Sequence, residues 1–473
     1  MKILFTNPPW HKNGRYGVRA GSRWPFTLPA YDARSLGYIP FPFFLAYTAA
    51  YVLQLEGVSV EAIDAIAEGL TEEEYFKKIT ASNPDVVVAE TSPPSLEEDL
   101  KLATKTRLLL PHLTYIVTGP QTPKSVHEIL TYNPTIDFAT FGEYEWTIRE
   151  LIAGLRDGNS DSGSIKGLGY RNNEVFLTER RNLGDLSELP WPAWDLFPMK
   201  NYRDYFTDFP APMVNMVASR GCPYSCSFCL WPDVMYGGQN YRTRSPKDIV
   251  AEMEHLVTTY GFRTIYFDDD TFNIGKERML ALCNEITSKG LTVAWAAMAR
   301  ADTFDEETIT AMRAAGLYAI KYGVESGNQE LLDRSGKKLN LDTVRKTVAI
   351  SKAVGIKVHL TFTVGLPGET QQSISQTINL AMELDPDSVQ MSIATPFPGT
   401  KLYLETIENG TLLTDNASLF DSSTTCMIKN EELSAKEIET SLERFAVLWG
   451  KRQRKKSLKK RFVGLCHRVM RKQ

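Results

Sequence analysis

The strongest constraint on the fold of this chain is a strand-then-helix alternation that repeats through most of its 473 residues. In the second half, short apolar runs typical of strands recur at 214–219, 264–268, 292–297, 318–323, 357–363 and 388–394. Helical periodicity fills the gaps, and Ser245-Pro246 is a good helix start, while Gly290 and Gly316 lie where helices should end. Six such units predict a partial (β/α)6 TIM barrel, whose site is built by loops at the carboxyl ends of the strands.

The first 155 residues show the same alternation with shorter units. Strand-like runs lie at 2–6, 58–63, 85–89, 114–118 and 135–140. Five strands with intervening helices predict a doubly wound, flavodoxin- or Rossmann-like parallel sheet that binds a ligand at the strand carboxyl ends. Those ends carry the loops Asn7-Pro8-Pro9-Trp10, Thr91-Ser92-Pro93-Pro94 and Thr118-Gly119-Pro120-Gln121. Such loops are also ordinary turns, so they indicate little by themselves.

Three cysteines, Cys222, Cys226 and Cys229, follow the first predicted barrel strand within the string RGCPYSCSFC. Their spacing fits three thiolates on one face of an iron–sulfur cube, whose fourth iron is then open to a substrate or cofactor. A structural zinc site is the alternative, but it normally takes four ligands in two separated short pairs. The other three cysteines form no second short pair, and Cys283 has the apolar spacing of a buried helix residue. The pattern therefore favours a cluster.

The pattern CxxxCxxC is that of the radical S-adenosylmethionine (SAM) enzymes, and the chain resembles this superfamily over about half its length. The resemblance implies that the amino and carboxylate groups of SAM chelate the open iron of a [4Fe-4S] cluster. It implies further that one electron cleaves the sulfonium and that a 5′-deoxyadenosyl radical abstracts hydrogen from the substrate. An external one-electron reductant of the flavodoxin or ferredoxin type would be required.

Further strings of the predicted barrel resemble the SAM-binding parts of these enzymes. The SAM contacts that the resemblance implies are Phe228, Arg300, Glu325, Ser326, Gly365 and Pro367. Phe228 could equally pack within its own loop. Arg300 and Glu325 end neighbouring strands, and their charges suit the carboxylate and ammonium of SAM, with a plain salt bridge between them as the alternative. Of the three acids Asp268-Asp269-Asp270 after the second strand, we expect Asp269 or Asp270 to touch the site rather than to bind a metal.

The N-terminal layout resembles the cobalamin-binding domain of the B12-dependent radical SAM subfamily, which includes class B radical SAM methyltransferases. The cobalamin contacts that it implies are Asn7, Pro8, Pro9, Gly119, Pro120, Gly142 and Glu143. Cobalamin domains of the mutase type carry DxHxxG, whereas this chain has DAIAEG at 64–69, with Ile66 at the histidine position. We therefore expect no imidazole from this motif on cobalt. His11, near the first of the N-terminal loops, is a candidate contact on the cobalt side, whereas His359 fits a core position better.

The predicted organisation has four parts. They are a cobalamin-binding-like domain at 1–155, a connector at 156–207, a radical SAM core at 208–430 and a C-terminal helical extension with a basic tail at 431–473. Aromatic residues of the connector, among them Trp191, Trp194 and Phe197, favour packing at an interdomain seam over ligand binding.

Composition and charge indicate in which cellular compartment the protein is expected and which partners it can bind. The uncharged run 39–55 falls short of the ~20 apolar residues of a membrane span and predicts a buried helix. Six cysteines and the lack of a leader sequence predict a cytoplasmic protein rather than a disulfide scaffold.

The net charge is −4, yet residues 451–473 hold eleven Lys or Arg and no acid. This tail is either a solvated terminus or a basic helix for anionic lipid at the inner membrane face, and nucleic acid is not expected.

The reaction expected from these features is methyl transfer to an unactivated carbon of a small-molecule or lipid-linked substrate. A radical ring-forming or rearranging enzyme with the same two domains is the nearest alternative. A non-catalytic cobalamin or SAM sensor is the alternative from another class. A methylthiotransferase is disfavoured because no cysteine precedes Cys222.

Overall fold

The computed structural model describes residues 1–12, 15–17, 27–29, 38–158, 161–204, 206–421 and 425–470. Its N-terminal sheet contains five parallel strands: β1 (Lys2–Asn7), β2 (Ser59–Asp64), β3 (Val86–Glu90), β4 (Thr114–Thr118) and β5 (Phe138–Thr140). They lie side by side in the order β2-β1-β3-β4-β5. This is the flavodoxin-like order, so the predicted doubly wound sheet is confirmed.

An antiparallel hairpin extends this sheet beyond β5. Its strands are β6 (Leu168–Asn172), paired with β5, and β7 (Glu174–Leu177), paired with β6. Both lie within the predicted connector 156–207, part of which thus belongs to the N-terminal sheet.

Helices cover both faces of the sheet. They are α1 (Phe43–Leu53), α2 (Glu72–Ser82), α3 (Leu96–Leu109), α4 (Pro123–Tyr132) and α5 (Glu145–Arg156), with a short helix at Ala65–Glu68. Helix α1 is buried along most of its length, as expected for the uncharged run 39–55. Among the described residues, no helix is both long enough and apolar enough to cross a membrane.

The second sheet contains six parallel strands in sequence order. They are β8 (Met213–Met216), β9 (Thr264–Phe267), β10 (Ala294–Ala299), β11 (Leu317–Glu325), β12 (Lys357–Val364) and β13 (Ser388–Ile393). The helices are α6 (Pro246–Tyr260), α7 (Lys276–Ser288), α8 (Glu306–Ala314), Gln329–Arg334, α9 (Leu341–Ala353), α10 (Gln371–Leu384) and α11 (Lys401–Glu408). The predicted partial barrel is confirmed, and Cys283 is buried on α7.

The connector packs between the two sheets through its aromatic residues. The Trp194 ring stacks on Phe41 at 4.6 Å, and its Nε1 donates to Glu252 of α6 at 3.1 Å. Trp191 Nε1 donates to Asp248 at 2.8 Å. Aromatic packing at the seam, as expected, therefore binds the connector to both domains.

A long C-terminal helix, α12 (Ala435–Met470), follows the barrel. Its Ile438 is fully buried and lies against Gly365 at the end of β12. Further along, Arg452 and Lys456 form ion pairs with Asp385 at 2.7 and 2.6 Å. The first turns of the basic tail are therefore attached to the barrel.

Candidate active site

The cysteine loop, defined as residues 221–241, begins and ends on a two-stranded ribbon. The ribbon pairs Ser219–Arg220 with Arg242–Thr243 in antiparallel register. Gly221 has φ +88°, and a Cβ there would lie 2.6 Å from the Asn240 carbonyl oxygen, so only glycine fits. Its N–H donates to Asp270 at 2.8 Å. Asp269 accepts from the Ala218 N–H at 2.9 Å, so the loop after β9 holds the start of the cysteine loop.

The three cysteines face an open cavity of about 880 Å³, solvent mouth included, at the carboxyl ends of the barrel strands. Its lining residues are Cys222, Cys226, Phe228, Cys229, Leu230, Trp231, Asp270, Thr271, Met298, Ala299, Arg300, Gly323, Glu325, Lys337, Thr361 and Phe397. The fold thus brings Phe228, Arg300 and Glu325 together with the predicted cluster ligands.

The chemistry of the cysteines fits a cube rather than a single ion. No three His, Cys, Asp or Glu side chains in the described part of the chain are grouped to hold one metal ion. In a cube each thiolate binds a different iron, so such grouping is not required. Burial raises the pKa of the Cys229 thiol, and burial likewise raises that of Cys226, with Lys337 and Arg300 opposing it. Since thiolates are the ligands, these nearby cations favour the bound form.

Arg300 is held by several partners at the cavity wall. Its Nε and Nη2 donate to the Asp302 carboxylate at 2.9 and 2.7 Å, and Nη2 also donates to the Lys337 carbonyl at 3.0 Å. The Tyr224 ring covers the guanidinium at 3.6 Å. Arg300 does not form the alternative salt bridge to Glu325. Arg300 pairs with Asp302, and Glu325 pairs with Lys337.

Glu325 adopts a left-handed conformation, with φ +71°, which is costly for a residue with a side chain. Its carboxylate receives Lys337 Nζ at 3.1 Å and Thr363 Oγ1 at 3.1 Å. Burial lowers the pKa of Lys337, but Glu325 and Cys226 raise it more, so the lysine stays charged. Sequence reasoning missed Lys337, because its only signal was the short GKK turn after a helix.

The other predicted SAM residues lie outside the cavity lining among the described residues. Ser326 Oγ accepts from the Asn328 N–H at 3.1 Å and is fully buried. The Gly365 N–H donates to Glu369 at 3.2 Å, and Pro367 borders a separate surface cavity. Their contact with SAM stays a prediction, as does that of the cavity residues.

The residues predicted to contact cobalamin lie at the carboxyl edge of the N-terminal sheet. Gly119 has φ +120°, and a Cβ would lie 2.2 Å from the Thr91 carbonyl oxygen, so the loop requires glycine. Asn7 Nδ2 donates to Asp64 at 3.1 Å. Glu143 follows β5, and its Oε1 pairs with Arg220 and Arg242 at 2.9 and 2.7 Å.

Buried polar atoms at this edge bear on whether a cobalamin would fit. Trp10 Nε1, Thr140 Oγ1 and Glu143 Oε2 are buried, and each has no hydrogen-bond partner within the described part of the chain. Such atoms are costly unless a ligand or water pairs them. A ligand that carries amide groups, such as a corrin, supplies suitable partners, so the edge fits the group.

The DAIAEG segment packs against the connector. Ile66 is 2% exposed, within the helix Ala65–Glu68. Asp64 accepts from the Ala67 N–H at 3.0 Å and from the Tyr202 hydroxyl at 2.9 Å. Burial raises the pKa of Asp64 to about 6, although these donors oppose the shift. An apolar side chain therefore occupies the histidine position, as the sequence indicates.

Of the two histidines considered in the sequence, His359 lies on strand β12 of the barrel. His359 is buried, its Nδ1 lies 2.8 Å from Ser388 Oγ, and burial lowers its pKa, as expected for a core residue. The His11 side chain lies outside the described residues.

Comparisons with known proteins agree with this architecture. The sequence profile of the radical SAM superfamily matches residues 216–381. An uncharacterized methyltransferase of Pyrococcus horikoshii is 32% identical over 377 residues, which cover 79% of this chain and 80% of that protein. An anaerobic magnesium-protoporphyrin IX monomethyl ester cyclase of Rubrivivax gelatinosus is 26% identical over 439 residues, or 89% of this chain and 71% of the relative.

A solved structure shares the fold of both domains. It is the radical SAM methyltransferase TsrM of Kitasatospora setae with cobalamin and a [4Fe-4S] cluster bound. The TM-score is 0.65 at 19% identity, and the match covers 86% of this chain and 75% of that one.

Proposed function

Since the chain belongs to the radical SAM superfamily, we propose that it is a cobalamin-dependent radical SAM enzyme that methylates an unactivated carbon. The observation that carries this proposal is the presence of two candidate cofactor sites in one chain. Three cysteines line a cavity at the carboxyl edge of the barrel. At the N-terminal sheet edge a loop requires glycine, and buried polar atoms there have no partner within the described part of the chain. SAM bound at the cluster would supply the radical that removes hydrogen from the substrate carbon, and a corrin at the sheet edge would supply methyl-transfer chemistry.

Within the barrel, Cys222, Cys226 and Cys229 would hold the [4Fe-4S] cluster. Lys337 and Glu325 offer a cation and an anion 3.1 Å apart beside it. These charges suit the carboxylate and the ammonium of the methionine end of SAM. Arg300 holds the backbone of Lys337 in place and so positions that lysine.

The cobalamin would lie at the N-terminal edge, and Gly119 supplies a test of that position. The variant Gly119→Ala places a methyl group against the Thr91 carbonyl, so it should weaken the binding of hydroxocobalamin, measured by visible absorbance. The matched control is Gly57→Ala, which has φ +73° but no heavy atom within 4 Å of the added Cβ. Equal cobalamin affinity in both variants would contradict this placement.

The decisive experiment is anaerobic purification with hydroxocobalamin supplied, followed by reconstitution with iron and sulfide. Addition of dithionite and SAM should yield 5′-deoxyadenosine, and the iron count should match one [4Fe-4S] cluster. Turnover of a substrate should yield S-adenosylhomocysteine as well. If no 5′-deoxyadenosine forms, the enzyme proposal is abandoned in favour of a cobalamin or SAM sensor.

A second candidate is ring formation or rearrangement, and the cyclase relative, which spans 89% of this chain, favours it. The two reactions differ in SAM use. A cyclase should form 5′-deoxyadenosine without a stoichiometric amount of S-adenosylhomocysteine.

The basic tail motivates a finer proposal, that the substrate is lipid-like and reached at an anionic membrane surface. Arg452 and Lys456 pair with Asp385, so the bases from 459 onward, which lie beyond this attachment, would contact the lipid. Deletion of 457–473 keeps those two ion pairs and should abolish sedimentation with vesicles of anionic phospholipid. Unchanged sedimentation would refute the proposal.

A further inference from the structure

Four charged side chains form an ion-pair cluster between the N-terminal domain and the cysteine loop. They are Glu143, Glu145, Arg220 and Arg242. Arg220 Nη1 lies 2.9 Å from Glu143 Oε1 and 2.6 Å from Glu145 Oε1. Both glutamates and Arg220 are at most 4% exposed, so this cluster is almost completely removed from water.

The two arginines occupy directly opposed positions of the ribbon at the base of the cysteine loop. Like charges opposed on a ribbon repel each other, and the repulsion is strong where water is excluded. Here Glu143 Oε1 accepts from both guanidinium groups, at 2.9 and 2.7 Å. The ribbon therefore depends on carboxylates that the other domain supplies.

The contact surface around Arg220 belongs to the N-terminal domain as well. Its guanidinium lies over the rings of Phe44 and Tyr47 of α1, at 4.5 and 5.0 Å. On the other side, Arg220 is followed directly by Gly221, whose N–H donates to Asp270. A side chain at Gly221 would collide with Asn240. Cys222 comes next, so a displacement of Arg220 reaches the first cysteine through a single residue.

The glutamates, in turn, lie beside the edge at which the N-terminal sheet would bind its ligand. Between them, the Tyr144 hydroxyl donates to Glu90 at the end of β3, at 3.1 Å. The segment 143–145 therefore contacts the sheet edge through Tyr144 and, through its two carboxylates, the ribbon at the base of the cysteine loop.

We propose that Arg220 and Arg242 are positioning residues that couple the two sites: the cysteine loop takes its cluster-binding geometry only while segment 143–145 is docked on the ribbon at its base. By the reciprocity of linked equilibria, the cluster should then also strengthen the binding of cobalamin to the N-terminal edge. This reciprocal part rests on the proposed function, whereas the docking itself does not.

The first test needs no cofactor. In the full-length protein without cluster, Arg220→Met should raise amide hydrogen exchange at least about fivefold both in the cysteine loop and in residues 143–148. The matched control is Arg107→Met, which removes an ion pair with Asp137 inside the N-terminal domain. It should leave exchange in the cysteine loop unchanged. If exchange in Arg220→Met rises in one segment only, the proposal is wrong.

A single substitution strands buried carboxylates, so a charge-neutral variant guards against simple unfolding. Arg220→Met/Glu145→Gln removes one charge of each sign and keeps the Glu143–Arg242 pair. It should recover much of the lost melting temperature while exchange in both segments stays raised. Recovery of wild-type exchange in both segments would overturn the proposal.

The second test measures the coupling itself. The dissociation constant of hydroxocobalamin is determined for wild-type protein with and without its reconstituted cluster. The cluster should tighten binding at least about fivefold in the wild type and much less in the double variant. Equal affinities in the wild type, with cobalamin bound, would contradict the coupling alone. Absence of cobalamin binding would contradict the proposed function. The docking of segment 143–145 would then be tested by hydrogen exchange alone.

Discussion

The barrel cavity and the N-terminal sheet edge are two predicted cofactor sites that the fold builds in opposite ways. At the cavity, Cys222, Cys226, Cys229, Arg300 and Glu325 lie together as the sequence pattern indicates, and their partners come from the same barrel. At the sheet edge, some side chains assigned to the ligand have partners elsewhere. Asn7 donates to Asp64, and Glu143 pairs with arginines that flank the cysteine loop.

A motif on one loop therefore specifies its site locally. The residues at an edge between two domains depend in addition on which side chains of the other domain pack against them. The cysteine spacing leaves little choice of geometry for the loop. A buried glutamate after the last parallel strand, by contrast, pairs with the nearest positive charge, and here that charge lies on the other domain.

The cysteine triad gives the largest expected effect. Cys226→Ala should abolish both the cluster and the formation of 5′-deoxyadenosine, since two thiolates cannot hold the cube. Iron content, the visible spectrum and product chromatography measure the result. Cys283→Ala, on the buried face of α7, should keep both properties. Turnover by Cys226→Ala would show that the barrel cavity is not the site of chemistry.

Substitution of Lys337 should give the second-largest effect on turnover. It tests whether residues of the barrel alone form the site. Lys337→Met leaves Glu325 without its buried cation and should reduce the rate of 5′-deoxyadenosine formation about 10- to 100-fold, since a hydrogen bond to a charged group contributes about 1.5–3 kcal/mol. The neighbouring Lys338 is exposed, so Lys338→Met is the matched control and should change the rate little. Similar rates in the two variants would remove Lys337 from the site.

Asp64 should affect stability rather than turnover, and it reports on the shared edge. Its pKa is raised by burial from its usual value near 3.8 to about 6, so the folded protein retains a proton there that the unfolded chain has already released. Stability should therefore fall as the pH rises from about 4 to 6, by up to about 3 kcal/mol, and stay constant above that range.

The variant Asp64→Asn should remove this contribution. Melting temperatures of the variant and the wild type, measured between pH 4.5 and 7.5, should diverge in their pH dependence below pH 6 and run parallel above it. Curves that stay parallel throughout would show that Asp64 does not titrate in this window and that the connector does not bury it as deeply as the structure has it.

Much of the fold could be predicted because its signals are local. Apolar runs of five to seven residues alternating with amphipathic helices predict all eleven parallel strands of the two sheets. The sequence pattern places the hairpin Leu168–Leu177 in a connector, since a short β-like run does not indicate which sheet it joins. Lys337 was missed for a similar reason. It lies twelve residues after Glu325, at no spacing that a strand or helix makes regular.

By itself, the sequence determined the cysteine triad, the two parallel sheets and the apolar residue at position 66, because thiolate spacing and apolar periodicity act within a few residues. The tertiary structure alone decided that Lys337 pairs with Glu325, that Arg300 supports Lys337, and that Glu143 pairs with Arg220 rather than standing alone at the sheet edge. A buried charge must find a partner of opposite sign, and which partner is nearest depends on how distant segments pack.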